Sequence, residues 1–154
     1  MRSALIDTNL LLLLIVGLND KKLISKHKRT KNFIPEDFDL LSEVLSGYEE
    51  LWVTSHCFAE VSNLIKQTNE KQAKELMAYL SIFATKTKES HIPKEIIFEN
   101  KMLPRLGVAD TGILVKAKRV NCVITVDLNL YIEILKKGYK VINFNHLRTE
   151  IFLT

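Results

Sequence analysis

The chain has 154 residues, 47% of them apolar, and 22 basic against 18 acidic side chains for a net charge of +4. That length suits one domain with a core of ordinary size, spanning residues 1–154, and the composition excludes a disordered chain. Five Gly and three Pro leave no room for a flexible linker, and there is no internal repeat or low-complexity tract. The positive excess is local. Residues 19–32, NDKKLISKHKRTKN, carry six Lys/Arg and one Asp, so the rest of the chain is slightly negative and attraction to a polyanion is concentrated in one segment. Cys57 and Cys122 sit in apolar company, which suits buried reduced thiols, and no CxxC or Cys/His spacing offers a zinc site. The apolar run Leu10–Val16 is too short for a membrane span, and Asp7 and Asn9 interrupt what would be a secretory signal. A soluble cytoplasmic protein is expected, with no membrane partner.

In chain order, Ser3–Ile6 reads as a short strand, followed by Asp7-Thr8-Asn9 and a helical apolar stretch to Val16. Residues 19–34 form a polar, basic insertion. Pro35-Glu36-Asp37 opens a helix with acids in its first turn, where the dipole favours them, and Gly47 closes it. Leu51–Thr54 is a strand, Ser55 can cap a helix to about Gln67, and Thr68 or Asn69 can cap the next, to about Lys86. Pro93 starts a helical stretch broken near Pro104 and Gly107. Val108–Arg119 is helical, Cys122–Val126 is a β-branched strand, Leu128–Lys137 is a helix ended by Gly138, and Lys140–Phe144 is a last strand. Short apolar strands alternating with helices predict an α/β fold, a three-layer α/β/α arrangement with a mainly parallel central sheet of four to five strands.

Ligands in open parallel sheets bind beyond the carboxyl ends of the strands. Asp7 directly follows the first strand and Asp127 directly follows Cys122–Val126, although each could serve merely as a helix N-cap. Asp110 shares a helix face with Ile113, Leu114 and Ala117, so the acid lies on an apolar stripe. A carboxylate there must protonate, find a partner or bind a cation. Glu60 falls about 110° from the centre of the stripe formed by Cys57, Phe58, Val61, Leu64 and Ile65, taking about 100° per residue, with Asn63 and Gln67 on the same flank. Four acids widely separated in sequence can therefore meet at one sheet edge. Oxygen ligands without Cys or His select hard ions, Mg²⁺ or Mn²⁺, whose widespread use is phosphoryl chemistry.

These residues resemble a PIN domain over most of the chain. ALIDTNLLL resembles the family's first strand and acidic turn, TSHCFAEVSNLI the helix carrying its second acid, and LGVADTGILVKAKRVNCVITVDLNLYIEILKKGYKVINF the remaining two acids with their strand. The resemblance implies a metal-dependent ribonuclease, commonly the toxin of a VapC-like toxin–antitoxin pair. It assigns Asp7, Asp110 and Asp127 as principal metal carboxylates with Glu60 completing the cluster, Thr125 orienting a carboxylate or phosphate, and Asn9 positioning a ligand or loop. It implies single-stranded or structured RNA as substrate, with 5′-phosphate and 3′-hydroxyl products. Two departures stand out. Asn129 occupies the place where many relatives carry a further acid, and the basic stretch 19–34 is longer than a compact member needs. Within it, Lys26, Lys28, Arg29 and Lys31 are the expected contacts to RNA phosphates.

A haloacid-dehalogenase-like phosphatase would need a second carboxylate where Asn9 stands, and a response-regulator receiver would need an acceptor Asp where Ser55-His56 stand. The remaining alternative is a non-catalytic PIN-like module that binds RNA or protein. The four histidines form no ligand spacing and read as surface or capping residues. The aromatic residues offer no base-stacking platform, and the apolar stripe of Leu76, Tyr79, Leu80 and Phe83 reads as core with an option on a homodimer surface. A cognate antitoxin protein is the other expected partner.

Overall fold

A computed structural model describes residues 2–152. The chain is α/β, with a five-stranded, all-parallel sheet in the order β3-β2-β1-β4-β5 flanked by helices in three layers. The strands are β1 (Ser3–Ile6), β2 (Glu50–Thr54), β3 (Lys88–Ser90), β4 (Cys122–Thr125) and β5 (Val141–Asn143). β1 and β4 are buried at every residue, which explains why both read as unbroken apolar runs with only Ser or Thr at their ends. The helices are α1 (Thr8–Asn19), α2 (Pro35–Leu45), α3 (Ser55–Ile65), α4 (Glu70–Thr85), α5 (Lys94–Phe98), α6 (Leu103–Lys116), α7 (Leu128–Lys136) and α8 (Phe144–Phe152). Among the described residues no helix is long and apolar enough to cross a membrane.

The connectivity decides where a site can form. From β1 the chain works outward through β2 to β3, and then returns to the other side of β1 for β4 and β5. The adjacent carboxyl ends of β1 and β4 are therefore the point where strand order reverses, the usual crevice of an open parallel sheet. Register Ile6↔Ile124 sets these two ends side by side. Just beyond them stand Asp7 and Asp127.

α1 is apolar on all sides from Leu10 to Val16 and is buried on all sides, packed among α2, α3 and α4. Leu76 and Leu80 of α4 are buried and Tyr79 and Phe83 half-buried against this core, the expected use of that stripe. Gly17 lets α2 approach closely, since a Cβ built there would stand 2.1 Å from Phe38 Cδ2. Cys57 and Cys122 are buried free thiols, as expected.

Several local expectations need correction. β3 carries no sequence signal, because Lys-Glu-Ser has no apolar pattern. It is an edge strand whose first two residues face solvent. Thr54, not Ser55, caps α3, its hydroxyl accepting from Cys57 N at 3.1 Å. The break at Gly107 is a kink within α6, where φ is +80° in the left-handed region that glycine tolerates. The expected last strand ends at Asn143, and Phe144 opens α8 instead. Alternating Val-Ile with Phe144 mimics a strand, but the Asn143 side chain turns back to accept from Asn145 N at 2.9 Å and starts a helix.

The basic insertion is a folded, docked segment. Ile24, His27, Thr30 and Phe33 are buried at a strict spacing of three, and successive turns bond Thr30 N to His27 O and Phe33 N to Thr30 O. That repeat turns every third side chain inward and leaves Lys26, Lys28, Arg29 and Lys31 exposed. α8 holds the segment down. Arg148 donates to the fully buried Asp37 at 2.8 Å and to Asn32 O at 3.1 Å, and it lies over the Phe33 ring at 4.9 Å. His27, expected at the surface, is buried. Burial and the nearby Arg29 charge lower its basicity, and its Nδ1 accepts from Arg29 N.

Candidate functional site

Asp7 is the most constrained of the four acids. Its residue is 3% exposed, and its carboxylate accepts three hydrogen bonds: Leu10 N to Oδ1 at 3.0 Å, Thr125 Oγ1 to Oδ2 at 2.6 Å, and Val126 N to Oδ2 at 2.9 Å. It thus caps α1 and clamps the end of β4 to the end of β1. Burial raises its pKa, the three donors oppose the rise, and the neighbouring Asp127 adds to it.

Thr125 links the two strand-end acids. It donates to Asp7 while accepting from Asp127 N at 3.0 Å, and it is fully buried. Asp127 is half-buried and caps α7, with Oδ1 accepting from Leu130 N at 2.8 Å. The capping reading therefore holds for both Asp7 and Asp127. Capping leaves capacity to spare, because each carboxylate oxygen can accept two bonds. Among the described residues Oδ1 of Asp7 has one place left, and Oδ2 of Asp127 has no partner.

Asp110 lies three residues beyond the Gly107 kink, on the turn that leads into buried Thr111, Ile113 and Leu114. Its carboxylate has no hydrogen bond or ion pair among the described residues. Burial pushes its pKa up to about 7, with Asp7, Asp127 and Glu60 each adding repulsion in that order. The four acids therefore share one electrostatic neighbourhood although they come from four different elements. Glu60 is exposed on α3 and also has no hydrogen bond or ion pair among the described residues. Cys57, one turn before it, is pushed up to about 11 by burial, with Asp7 and Asp110 adding to the rise. The buried Thr111 hydroxyl and His56 Nδ1 have no hydrogen-bonding partner among the described residues.

Among the described residues no Lys or Arg offsets the charge on Asp7 or Asp110, and all-oxygen donors fit the chemistry of a hard divalent cation. Their arrangement does not yet meet it. Among the described residues, no group of three or more Asp, Glu, His or Cys side chains is placed so that it could hold a metal ion. The fold gathers the carboxylates at one edge without closing them into a ligand cage.

The supporting residues divide. Asn9 is exposed on the first turn of α1 and lines a cavity of about 230 Å³ with Arg29 of the insertion. Asn129 accepts from Arg105 Nη2 at 3.1 Å, and Arg105 also pairs with Glu133 at 3.0 Å, so Asn129 belongs to a network between α6 and α7. Of the four expected phosphate contacts, Arg29 alone lines that cavity beside Asn9; Lys26, Lys28 and Lys31 are exposed elsewhere on the segment. Arg148 and Asn145 line it as well, and sequence reasoning misses both because it ends on a strand at Phe144 and places no element after it. The Asn143-Phe144-Asn145 signal for a helix start was there to find. No protein-family model matches this chain, and no curated protein matches it either.

Proposed function

We propose that this chain is a divalent-cation-dependent endoribonuclease of PIN-like architecture, hydrolysing phosphodiester bonds in single-stranded or structured RNA. The observation that carries the reading is Asp110: a partnerless carboxylate, pushed up to about 7, facing three more acids at the switch point of a parallel sheet. A protein keeps such repulsion where a cation relieves it. Asp110, Asp127 and Glu60 would offer free carboxylate oxygens, and Asp7 its remaining lone pair. Thr125 fixes the Asp7 carboxylate and the start of α7 at once, so these two acids cannot drift apart. Asn9 stands on the rim, able to position a loop or a substrate group. Bound Mg²⁺ or Mn²⁺ would neutralise phosphate charge and lower the pKa of a water at neutral pH.

The capping roles of Asp7 and Asp127, with no metal-holding group of three, favour a second reading in which the fold is a non-catalytic module that binds RNA or protein. Cleavage of a mixed RNA pool with Mn²⁺, in excess EDTA and by Asp110→Asn separates the two. The hydrolase reading expects metal-dependent cuts leaving 5′-phosphate ends, abolished by EDTA and by the substitution. No cleavage under any divalent ion, or 2′,3′-cyclic phosphate ends, refutes it. The further proposal that the chain is the toxin of a toxin–antitoxin pair is tested by the adjacent open reading frame, which should encode a small DNA-binding protein.

A further inference from the structure

The carboxylate edge has a neighbour that its chemistry does not use. Next to it lies the cavity of about 230 Å³ walled by Asn9 from the first turn of α1, Val126 just past β4, Arg29 and Asn32 from the insertion, and Asn145 and Arg148 from α8. It abuts the acids directly. Val126 N donates to Asp7 Oδ2, and Asn145 Nδ2 donates to Val126 O at 3.3 Å. A second cavity, about 370 Å³, continues past Asn145 and Arg148 to Ile34, Thr149 and Phe152. The groove thus runs from a polar, cationic end beside the acids to an apolar end between the insertion and α8.

The two arginines differ in kind. Arg148 is committed, its charge answered by buried Asp37 through Nε and its two other nitrogens each donating once, to Asn32 O and Asn145 Oδ1. Arg29 has no ion pair or side-chain hydrogen bond among the described residues, although its backbone N is fixed by His27 Nδ1. A rigid backbone carrying a free guanidinium beside an unpaired Asn9 amide is a pre-placed anion contact, and the planar fork matches a phosphate. At the other end Ile34 is 43% exposed and Phe152 40% exposed, a branched apolar side chain and an aromatic ring lining one cavity.

We infer that this groove is a nucleotide subsite of a single-stranded RNA: a backbone phosphate one step from the carboxylate edge is held by Arg29 with Asn9 and Asn32, and the base lies against Ile34 and Phe152. The inference rests on the proposed RNA substrate and adds to it a place and a polarity of contacts. Charge complementarity chooses this occupant. A phosphate chain approaching four acids needs a cation before it reaches them, and Arg29 is the uncommitted cation in the wall. The apolar end suits a base, because stacking is tolerant of sequence. It also gives the basic insertion a specific task, in which one residue of the four does most of the work.

The test measures binding of a fluorescein-labelled RNA hexanucleotide by anisotropy, in EDTA so that nothing is cut, across a series of salt concentrations. Arg29→Ser should weaken binding at least fivefold and flatten the log–log salt slope by about 0.7, the value for one single-strand phosphate contact. Lys26→Ser, the same charge change outside the groove, should weaken it less than twofold. Phe152→Ala should weaken binding several-fold and leave the salt slope alone, since it removes stacking and no charge. Cooperative urea unfolding shows that each variant is folded. Equal effects of Arg29→Ser and Lys26→Ser overturn the subsite, as does a parent chain that does not bind the RNA. Cleavage by the parent in Mn²⁺ is read separately. A parent that cuts while the two variants bind alike loses only the subsite, and one that binds through Arg29 without cutting loses only the hydrolase reading.

Discussion

Asp110→Asn isolates the electrostatic cost of gathering acids at this edge. The substitution keeps the side-chain shape and removes the charge that burial, Asp7, Asp127 and Glu60 all oppose. With a folded pKa of about 7 against 3.8 for the ordinary group, the native state holds a proton that the unfolded chain has released. Stability must therefore fall as pH rises between those two values, and the loss is complete above the higher one. A shift of about three units at 1.36 kcal/mol each sets a ceiling of about 4 kcal/mol, and partial solvent screening of a half-buried group brings the expectation to about 2 kcal/mol. Urea unfolding in EDTA from pH 4 to 8 reads this directly. The parent should lose stability across that range. The variant should be flatter, with a residual slope from Asp7, and more stable than the parent by about 2 kcal/mol at pH 8. At pH 4 the two should nearly coincide. Adding Mn²⁺ at pH 8 should raise the parent's melting temperature and leave the variant's much less changed, by linkage to a ligand that binds only the folded chain. If the two proteins show the same stability at every pH, Asp110 does not carry the repulsion assigned to it, and the reasoning about the site fails with it.

The other predictions follow from single contacts. Thr125→Val removes the 2.6 Å donor to Asp7 and the acceptor for Asp127 N, so it should cost about 2 kcal/mol in denaturant unfolding. Since that donor holds the Asp7 pKa down, the deficit should be larger at pH 8 than at pH 4, and an equal deficit at both refutes the coupling. Arg148→Met strands fully buried Asp37 and releases the insertion, costing on the order of 3 kcal/mol, with hydrogen exchange faster at Thr30 and Phe33 than in β1. Gly17→Ala should be destabilising by about 3 kcal/mol through collision with Phe38, and Gly107→Ala, with open space around it, by about 1–3 kcal/mol through its backbone alone, since φ +80° with ψ 173° is a conformation essentially confined to glycine. A Gly107→Ala variant that melts with the parent would show that α6 straightens when the glycine is replaced.

Much of this molecule is legible along the chain. β1 and β4 are apolar at their cores because both faces of a parallel strand are covered, and α1 is apolar all round because it is surrounded. Asp7 and Asp127 could be placed at strand ends for the same reason: a local run of side chains declares where a strand stops. Asp110 was recognisable as an acid on an apolar face, a conflict visible within one helix. What tertiary structure decided is everything that depends on partners distant in sequence. The side-by-side register of Ile6 and Ile124 brings Asp7 to Thr125, and no spacing along the chain encodes that pairing. β3 exists because β2 offers it an edge, so its polar Lys-Glu-Ser carries no signal of its own. The basic insertion reads as a charge run, and its period of three becomes meaningful only against the folded chain, where Lys21–Leu23 packs on α1 and α2 and Arg148 of α8 lies over Phe33. Local pattern reports burial, because burial is a property of each side chain. The convergence of Arg29, Asn9 and Asn145 on one groove is a property of three-dimensional packing, and only the fold could decide it.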